Sequence, residues 1–303
     1  MRRRTLVRLA AAAMALTTAA AVLALTGTAS AAALEKIPEF GPNPGGLTMY
    51  VYRPDGLPRA APAVVLMHGC SMQASGLDTS SGWRKFADRY KFTLVLPEKP
   101  NRKCFAFGGA RGEGDAASIA SMVGYARTAY GTDPTHVFAT GFSAGGGMTN
   151  TMLAAYPELF AAGASVSGIP YRCSSEANCT ADAVTRADPG YTGRRPRVQV
   201  WHGTADRIVD VTYGDGARKQ WTAVLGTGAT PAKTEQLKGQ TTKASFIDPS
   251  GQVLVEDYRL AGMGHAIPID LGTGPDRCGS IGATANRICY AYHAVAFFGL
   301  DKH

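Results

Sequence analysis

The sequence predicts an α/β domain, with a mostly parallel central sheet and helices on both faces. Three observations predict it. Strand-like apolar runs alternate with helically spaced ones along the chain. One strand runs into a helix through the G-x-S-x-G turn Gly141-Phe142-Ser143-Ala144-Gly145. About 270 residues follow an N-terminal leader, enough for one large domain with a sizeable core.

The leader is expected over 1–33 and the domain over 34–303. Arg2, Arg3, Arg4 and Arg8 form a positive start, Leu9 to Leu25 is an alanine-rich apolar run, and Ala29-Ser30-Ala31 or Ala31-Ala32-Ala33 offers a small-x-small cleavage site. The run falls short of the ~20 strongly apolar residues that a bilayer span requires, so an export signal is the better reading than an anchor. Arg3-Arg4-Thr5-Leu6-Val7 loosely resembles a twin-arginine signal, which leaves the export route open.

Element by element, Leu47 to Tyr52 reads as a strand and Ala63 to Met67 as a buried one. Trp83 to Tyr90 has helical spacing, and the strand Phe92 to Leu96 follows. Glu113 to Tyr130 is a longer helix with Ile119, Met122 and Val123 on one side. Then come the strand and helix around Ser143, a strand at Gly163 to Ser167 and another at Val198 to His202. Ile169 to Arg197 has little periodicity and reads as an insertion over the edge that carries Ser143, pinned by a small disulfide loop. Residues 214–243 are polar, with a helix expected at Ala217 to Leu225 and loop elsewhere. Gln252 to Leu260 is a late strand and Ile288 to Phe298 a last helix. Right-handed crossovers place the loops after the strand C-termini along one edge, where the sites of such sheets collect.

Composition narrows the function. Without the leader, 27 basic and 23 acidic residues remain, a net charge of +4 spread along the chain. Arg194-Arg195-Pro196-Arg197 is the densest basic cluster and reads as a solvated loop. No aromatics interleave with a basic stripe, so no nucleic-acid partner is expected. No membrane association of the mature form is expected, and a monomer is. Six cysteines in an exported chain point to disulfides, and 15 pairings are possible. Local spacing favours Cys173–Cys179 and Cys278–Cys289, which leaves Cys70–Cys104. No C-x-x-C or zinc spacing occurs, so no metal is expected. Glu113 and Asp115 suit a helix N-terminus through its dipole, and Gly108 to Gly112 is too loosely patterned for a phosphate cradle.

Ser143 is the candidate nucleophile, because a sharp strand-to-helix turn holds its Oγ clear of the sheet; the bland alternative is a serine capping a helix. A serine needs a base to take its proton and an acid to orient that base, following in the chain order Ser, Asp or Glu, His. Asp206 follows the strand ending Trp201-His202 and is preferred over Asp210, which suits the start of the next element. An Asx turn is the bland reading of Asp206. His265, in Gly262-Met263-Gly264-His265, is preferred over His293, which suits a packed helix, and over His303 at the chain end. The backbone N–H groups of Ala144 and Cys70 are the expected oxyanion donors. A Cys70–Cys104 bond would hold that loop still. Cys70 as a thiol nucleophile lacks a better base than Ser143 has, while His68 and His202 suit supporting roles. Phe142, Phe105, Phe107, Tyr171 and Trp221 are candidates for an apolar acyl or aryl pocket, and each also suits the core.

With those residues in place, the chain resembles the esterase family of polyhydroxybutyrate depolymerases, within the α/β-hydrolase fold and adjoining the feruloyl and acetylxylan esterases. The resemblance rests on Leu66-Met67-His68-Gly69-Cys70 with Gln73, Ser81-Gly82-Trp83, Pro97-Glu98, Cys104, and Arg111-Gly112-Glu113-Gly114-Asp115. It continues through Gly141 to Gly146, Tyr156-Pro157-Glu158-Leu159-Phe160, Gly168-Ile169-Pro170-Tyr171, and His202-Gly203-Thr204-Ala205-Asp206 with Val209, covering roughly 45–300. It implies a secreted serine esterase with Ser143, Asp206 and His265 as triad, Cys70 and Ala144 as oxyanion donors, and no cofactor. One departure stands out: Cys104-Phe105-Ala106-Phe107 replaces a Cys-Trp-Asn-Trp run common in relatives. The chain has no room for the linker and polymer-binding module usual in extracellular polyester depolymerases, so feruloyl or acetyl esters of plant polysaccharide, or related soluble esters, are expected ahead of polyhydroxybutyrate. A serine peptidase on the same fold and a non-catalytic binding protein are the readings from other classes.

Overall fold

The computed structural model describes residues 33–175 and 178–302, so the leader expected at 1–33 lies almost wholly outside the described residues, as does His303. The short strand β1 (Glu35–Ile37) pairs antiparallel with β2 (Thr48–Tyr52) at one edge of the sheet. The buried strand β3 (Ala63–Met67) precedes two helices, α1 (Ala74–Ser81) and α2 (Trp83–Tyr90), and then β4 (Thr93–Glu98). Helix α3 (Gly114–Tyr130) ends at Gly131, whose φ of 66° is the left-handed turn that stops a helix. Next come β5 (Val137–Phe142), α4 (Ala144–Ala155), β6 (Ala162–Val166), the short α5 (Ala181–Thr185) and β7 (Arg197–Gly203). Helix α6 (Val211–Val224) leads to the strands β8 (Lys233–Leu237), β9 (Thr241–Ile247) and β10 (Val253–Leu260). A two-stranded sheet of β11 (Ile267–Ile269) and β12 (Thr284–Asn286) precedes α7 (Tyr290–Phe298).

The main sheet has the order β1-β2-β4-β3-β5-β6-β7-β10-β9-β8. Its middle, from β4 to β10, is parallel throughout, and antiparallel pairs close both flanks. Side-chain alternation along the strands divides the core in two. On β3, Val64 and Leu66 join Trp83, Phe86, Tyr290 and Phe298 under α1, α2 and α7. Val65 and Met67 face the other way, toward Ile119, Met122, Met152 and Trp221 under α3, α4, α5 and α6. Strand β5 runs through the middle with all six residues buried.

Two expectations need correction, and one helix was not anticipated. The helix expected at Ala217 to Leu225 starts at Val211, capped by the Asp210 carboxylate, which accepts the Thr212 N–H at 2.9 Å. Its early glycines are packing devices. A Cβ at Gly214 would sit 2.8 Å from His202 Nδ1, and one at Gly216 would sit 2.5 Å from Cys179 Sγ. The segment expected to be loop beyond that helix holds the β8–β9 hairpin, which extends the sheet antiparallel from β10. Helix α1 had no apolar period to reveal it, since Ala74 and Leu77 are its only buried hydrophobic residues. All three expected disulfides are present, Cys70–Cys104, Cys173–Cys179 and Cys278–Cys289. The 169–197 insertion docks on α6 through Gln220, whose amide bonds the Tyr171 N–H, the Tyr171 carbonyl and the Thr180 carbonyl.

Candidate active site

Ser143 stands between β5 and α4 with φ 56° and ψ −118°, a backbone conformation that costs a non-glycine residue about 1–3 kcal/mol and persists only where the surroundings enforce it. The enforcement is visible. The Ser143 N–H donates to Val166 O at 2.9 Å, and the Ser143 carbonyl accepts the Gly147 N–H at 2.9 Å. Strand and helix approach so closely that a Cβ at Gly145 would lie 2.0 Å from Met67 O, and one at Gly141 2.5 Å from the Gly145 carbonyl. Only glycine fits either position. The Ser143 side chain makes no capping bond, so the helix does not use its hydroxyl. Among the described residues it has no hydrogen-bond partner, and 8 % of the residue remains exposed.

The loops that carry Asp206 and His265 leave neighbouring strands. β7 and β10 are parallel partners, with Gly203 opposite Leu260. Backbone bonds then zip their loops together: Thr204 N–H to Leu260 O at 3.0 Å and Ala205 N–H to Met263 O at 3.0 Å. The Gly262 N–H adds a bond to Thr204 Oγ1 at 2.9 Å. This seam brings His265 Nδ1 within 2.7 Å of Asp206 Oδ2. Asp206 Oδ1 meanwhile accepts the Ile208 and Val209 N–H groups at 2.9 and 3.0 Å, so the carboxylate makes an Asx turn as well. Burial by itself would raise the Asp206 pKa. Bonds from His202, His265 and the two amides outweigh that and hold it well below the ordinary carboxylate range. With Nδ1–H committed to Asp206, the imidazole keeps Nε2 as its free acceptor. The ring also packs on Phe142, centroids 4.7 Å apart, which sets it beside the residue preceding Ser143.

The loop after β3 lies against Ser143, since a Cβ at Gly69 would sit 3.2 Å from Ser143 Cβ. The Ala144 N–H occupies the first helical position, where no intrahelical acceptor exists. The Cys70 N–H likewise donates to no acceptor among the described residues. The Cys70–Cys104 disulfide and the Ser71 N–H to Arg102 O bond, 2.9 Å, tie this loop to the segment after β4. His68 braces it from inside. Its Nε2 accepts the Lys99 N–H at 3.0 Å, so the proton is on Nδ1, which donates to Gly69 O at 2.7 Å. Burial holds its pKa below the usual histidine value.

The other candidate residues separate by placement. Phe142 lies under His265, and half-buried Phe107 covers Gly147 in the first turn of α4. Trp221 is wholly buried and donates its indole N–H to Asn150 Oδ1 at 3.0 Å, so it belongs to the core. Tyr171 is buried with its hydroxyl on Gly109 O, and Phe105 packs against His68. Those three have no free face for a substrate. Asp115 exceeds the dipole role expected of it: it pairs with Lys99 Nζ at 2.7 Å and accepts the Ala106 N–H at 2.8 Å. Ile208, two residues after Asp206, is 76 % exposed, and its backbone N–H bonds Asp206 Oδ1 at 2.9 Å. His202 supports the Asp206 loop: its Nε2 donates to Val209 O at 2.8 Å and lies 3.5 Å from Asp206 Oδ2. A hollow of about 570 Å³ along α6 and residues 226–229 touches none of Ser143, Asp206 and His265, so chemistry and not volume locates the site.

Comparison with known proteins bears on what this arrangement does. The Esterase PHB depolymerase family model matches residues 47–251. The chain belongs to that family. It is 34% identical over 298 residues to poly(3-hydroxyalkanoate) depolymerase C of Paucimonas lemoignei, covering 90% of this chain and 72% of that one. It is 35% identical to feruloyl esterase B of Talaromyces stipitatus, covering 84% and 78% respectively. Among solved structures, the acetyl xylan esterase from Aspergillus awamori superposes with a TM-score of 0.73 at 26% identity, covering 88% of this chain and 99% of that one. The fold is that of the α/β-hydrolases, and this member of the family is a carboxylic-ester hydrolase.

Proposed function

We propose that this esterase is an exported enzyme that works through an acyl-enzyme intermediate, with Ser143 as nucleophile, His265 as base and Asp206 as its orienting acid. The observation that carries the reading is the pairing of a strained, uncapped Ser143 with a His265 already locked onto Asp206 at 2.7 Å. Ser143 Oγ attacks the ester carbonyl as His265 Nε2 takes its proton, and the Cys70 and Ala144 N–H groups receive the oxyanion. The alcohol leaves with the proton held on Nε2. Water then attacks the acyl carbonyl, its proton passing to Nε2; the bond from carbon to Oγ breaks, Nε2 returns the proton to Ser143 Oγ, and the carboxylic acid departs. Ionised Asp206 stabilises the imidazolium in both halves. The direct Ser143–His265 contact is part of the proposal, and in ligand-free sites such bonds are often long.

For substrate we propose feruloyl or acetyl esters of plant polysaccharide, supported by the likeness to a feruloyl esterase and to an acetyl xylan esterase. Polyhydroxyalkanoate is the second reading, favoured by the depolymerase that matches 90% of the chain. The oxidised, leaderless protein should label with a fluorophosphonate, and Ser143→Ala should not label and should lose at least about 10³-fold in kcat. Labelling that persists in Ser143→Ala would remove the nucleophile assignment. Initial rates on methyl ferulate, acetylated xylan and dispersed polyhydroxybutyrate then choose the substrate, and inactivity on both plant esters removes the first choice.

A further inference from the structure

At the opposite end of the sheet, where β5, β6 and β7 begin, a hollow of about 250 Å³ opens among Arg194, Arg195 and Arg197, with Phe138, Phe160 and Phe298 beneath. Five residues of extended strand separate Phe138 from Ser143, roughly 16 Å. No aspartate or glutamate lines this hollow. The nearby acids bond other partners and act on these arginines only through space, Asp188 on Arg195, Asp248 on Arg194 and Glu256 on Arg197, while Asp133 pairs with His136 of the lining at 2.6 Å. Asp188 pairs with Arg111 at 3.3 Å. Asp248 Oδ1 accepts the Ser250 and Gln252 N–H groups, each at 2.9 Å. Glu256 takes Gln199 Nε2 at 2.6 Å and Lys243 Nζ at 2.5 Å.

The guanidiniums themselves find only neutral partners. Arg194 reaches Gln252 Oε1 at 2.6 Å, and Arg197 reaches Phe297 O at 2.6 Å while lying over the Phe297 ring. Arg195 stands over the Tyr191 ring, and its Nη1 is buried with no hydrogen-bond partner. Desolvation holds the pKa of both Arg195 and Arg197 below the usual arginine value, though both stay charged at any working pH. A buried donor on a cation costs stability unless something accepts from it. No carboxylate bonds any of the three guanidiniums among the described residues, and the buried Arg195 Nη1 has room for an acceptor from outside.

We infer that this hollow is a binding site for a compact oxyanion, a carboxylate or phosphate gripped by Arg195 and Arg194. The volume suits one sugar-sized group, and the aromatic floor suits a ring bearing the acid better than a bare ion. Two sources share this chemistry: a sugar-acid residue of a polysaccharide and free phosphate. The first rests on the plant-polysaccharide reading above, while the oxyanion site does not. Bound there, an acidic chain would be held at a distance from the catalytic serine, an anchor and not part of the reacting centre.

Calorimetric titration of the oxidised protein with glucuronate, inorganic phosphate and neutral glucose tests it. Saturable glucuronate binding is expected, none with glucose, and about tenfold weaker affinity in Arg195→Gln. Turnover of p-nitrophenyl acetate should be unchanged in that variant. Phosphate binding more tightly than glucuronate at the same arginines assigns the site to free phosphate. No saturable binding of either anion, or equal affinity in wild type and Arg195→Gln, overturns the site. If Arg195→Gln unfolds, Arg194→Gln serves, because its side chain is exposed and held by one bond to Gln252. Loss of esterase activity with anion binding intact would remove the functional reading alone.

Discussion

Asp206 divides its two oxygens between Oδ1, which takes two backbone amides, and Oδ2, which takes the His265 ring N–H. An asparagine there has one oxygen for both tasks, so whichever way it turns, an NH₂ faces a donor. Asp206→Asn should therefore lower kcat by about 10³- to 10⁴-fold. Asp210→Ala, which removes only the α6 cap, should leave kcat intact. Steady-state kinetics on one soluble ester compares them; similar losses in the two variants would move the acid assignment. The pairing of Asp206 with His265 was legible because the proposed chemistry imposes an order along the chain. Trp221 and Tyr171 were not, because an aromatic side chain reads the same in a pocket wall as in a core, and burial decides between them. The Asx turn and the histidine contact of Asp206 both proved real, one on each oxygen.

The parallel strands and their helices were readable because a continuous apolar run marks a strand buried on both faces, as in β3 and β5. The β8–β9 hairpin was not, because it lies at the sheet edge with one side toward solvent and carries lysine, threonine and glutamate there. The start of α6 hid behind Gly214 and Gly216, which helix propensity counts against and which close packing requires. Also invisible in the sequence was the adjacency of β7 and β10, the seam that brings Asp206 and His265 together. The loop after β3 offers a sharper test. Cys70–Cys104 closes a span of 34 residues. Replacing both cysteines with alanine should cost about 2–4 kcal/mol of stability. It should also lower kcat by about ten- to a hundredfold, a fraction of what losing one oxyanion donor costs. Denaturant unfolding and kinetics on the same preparation check both, and an unchanged kcat would separate the disulfide from catalysis.

For the molecule as a whole, acid is the exposed weakness. Burial, with Lys243 adding to it, pushes the His293 pKa down from 6.5 to about 4. Between those values the unfolded chain takes a proton that the folded chain refuses. Stability therefore falls as pH drops from about 6.5 to about 4, by up to about 3 kcal/mol from this group. His68 is shifted the same way and adds to the slope. Asp206 is shifted downward as a carboxylate, so its contribution is full above 3.8 and is lost only as pH falls below that. His293→Gln should flatten the decline between pH 6.5 and 4.5 measured by urea unfolding, and an unaltered slope would rule out His293 as its source. The position of β5 has a consequence for tolerance of change. Four strands lie to one side of it and five to the other. Insertions, losses or repairs at either margin are absorbed before they reach the turn at its tip. Either margin of the sheet can therefore be altered while several buried strands still separate the change from Ser143.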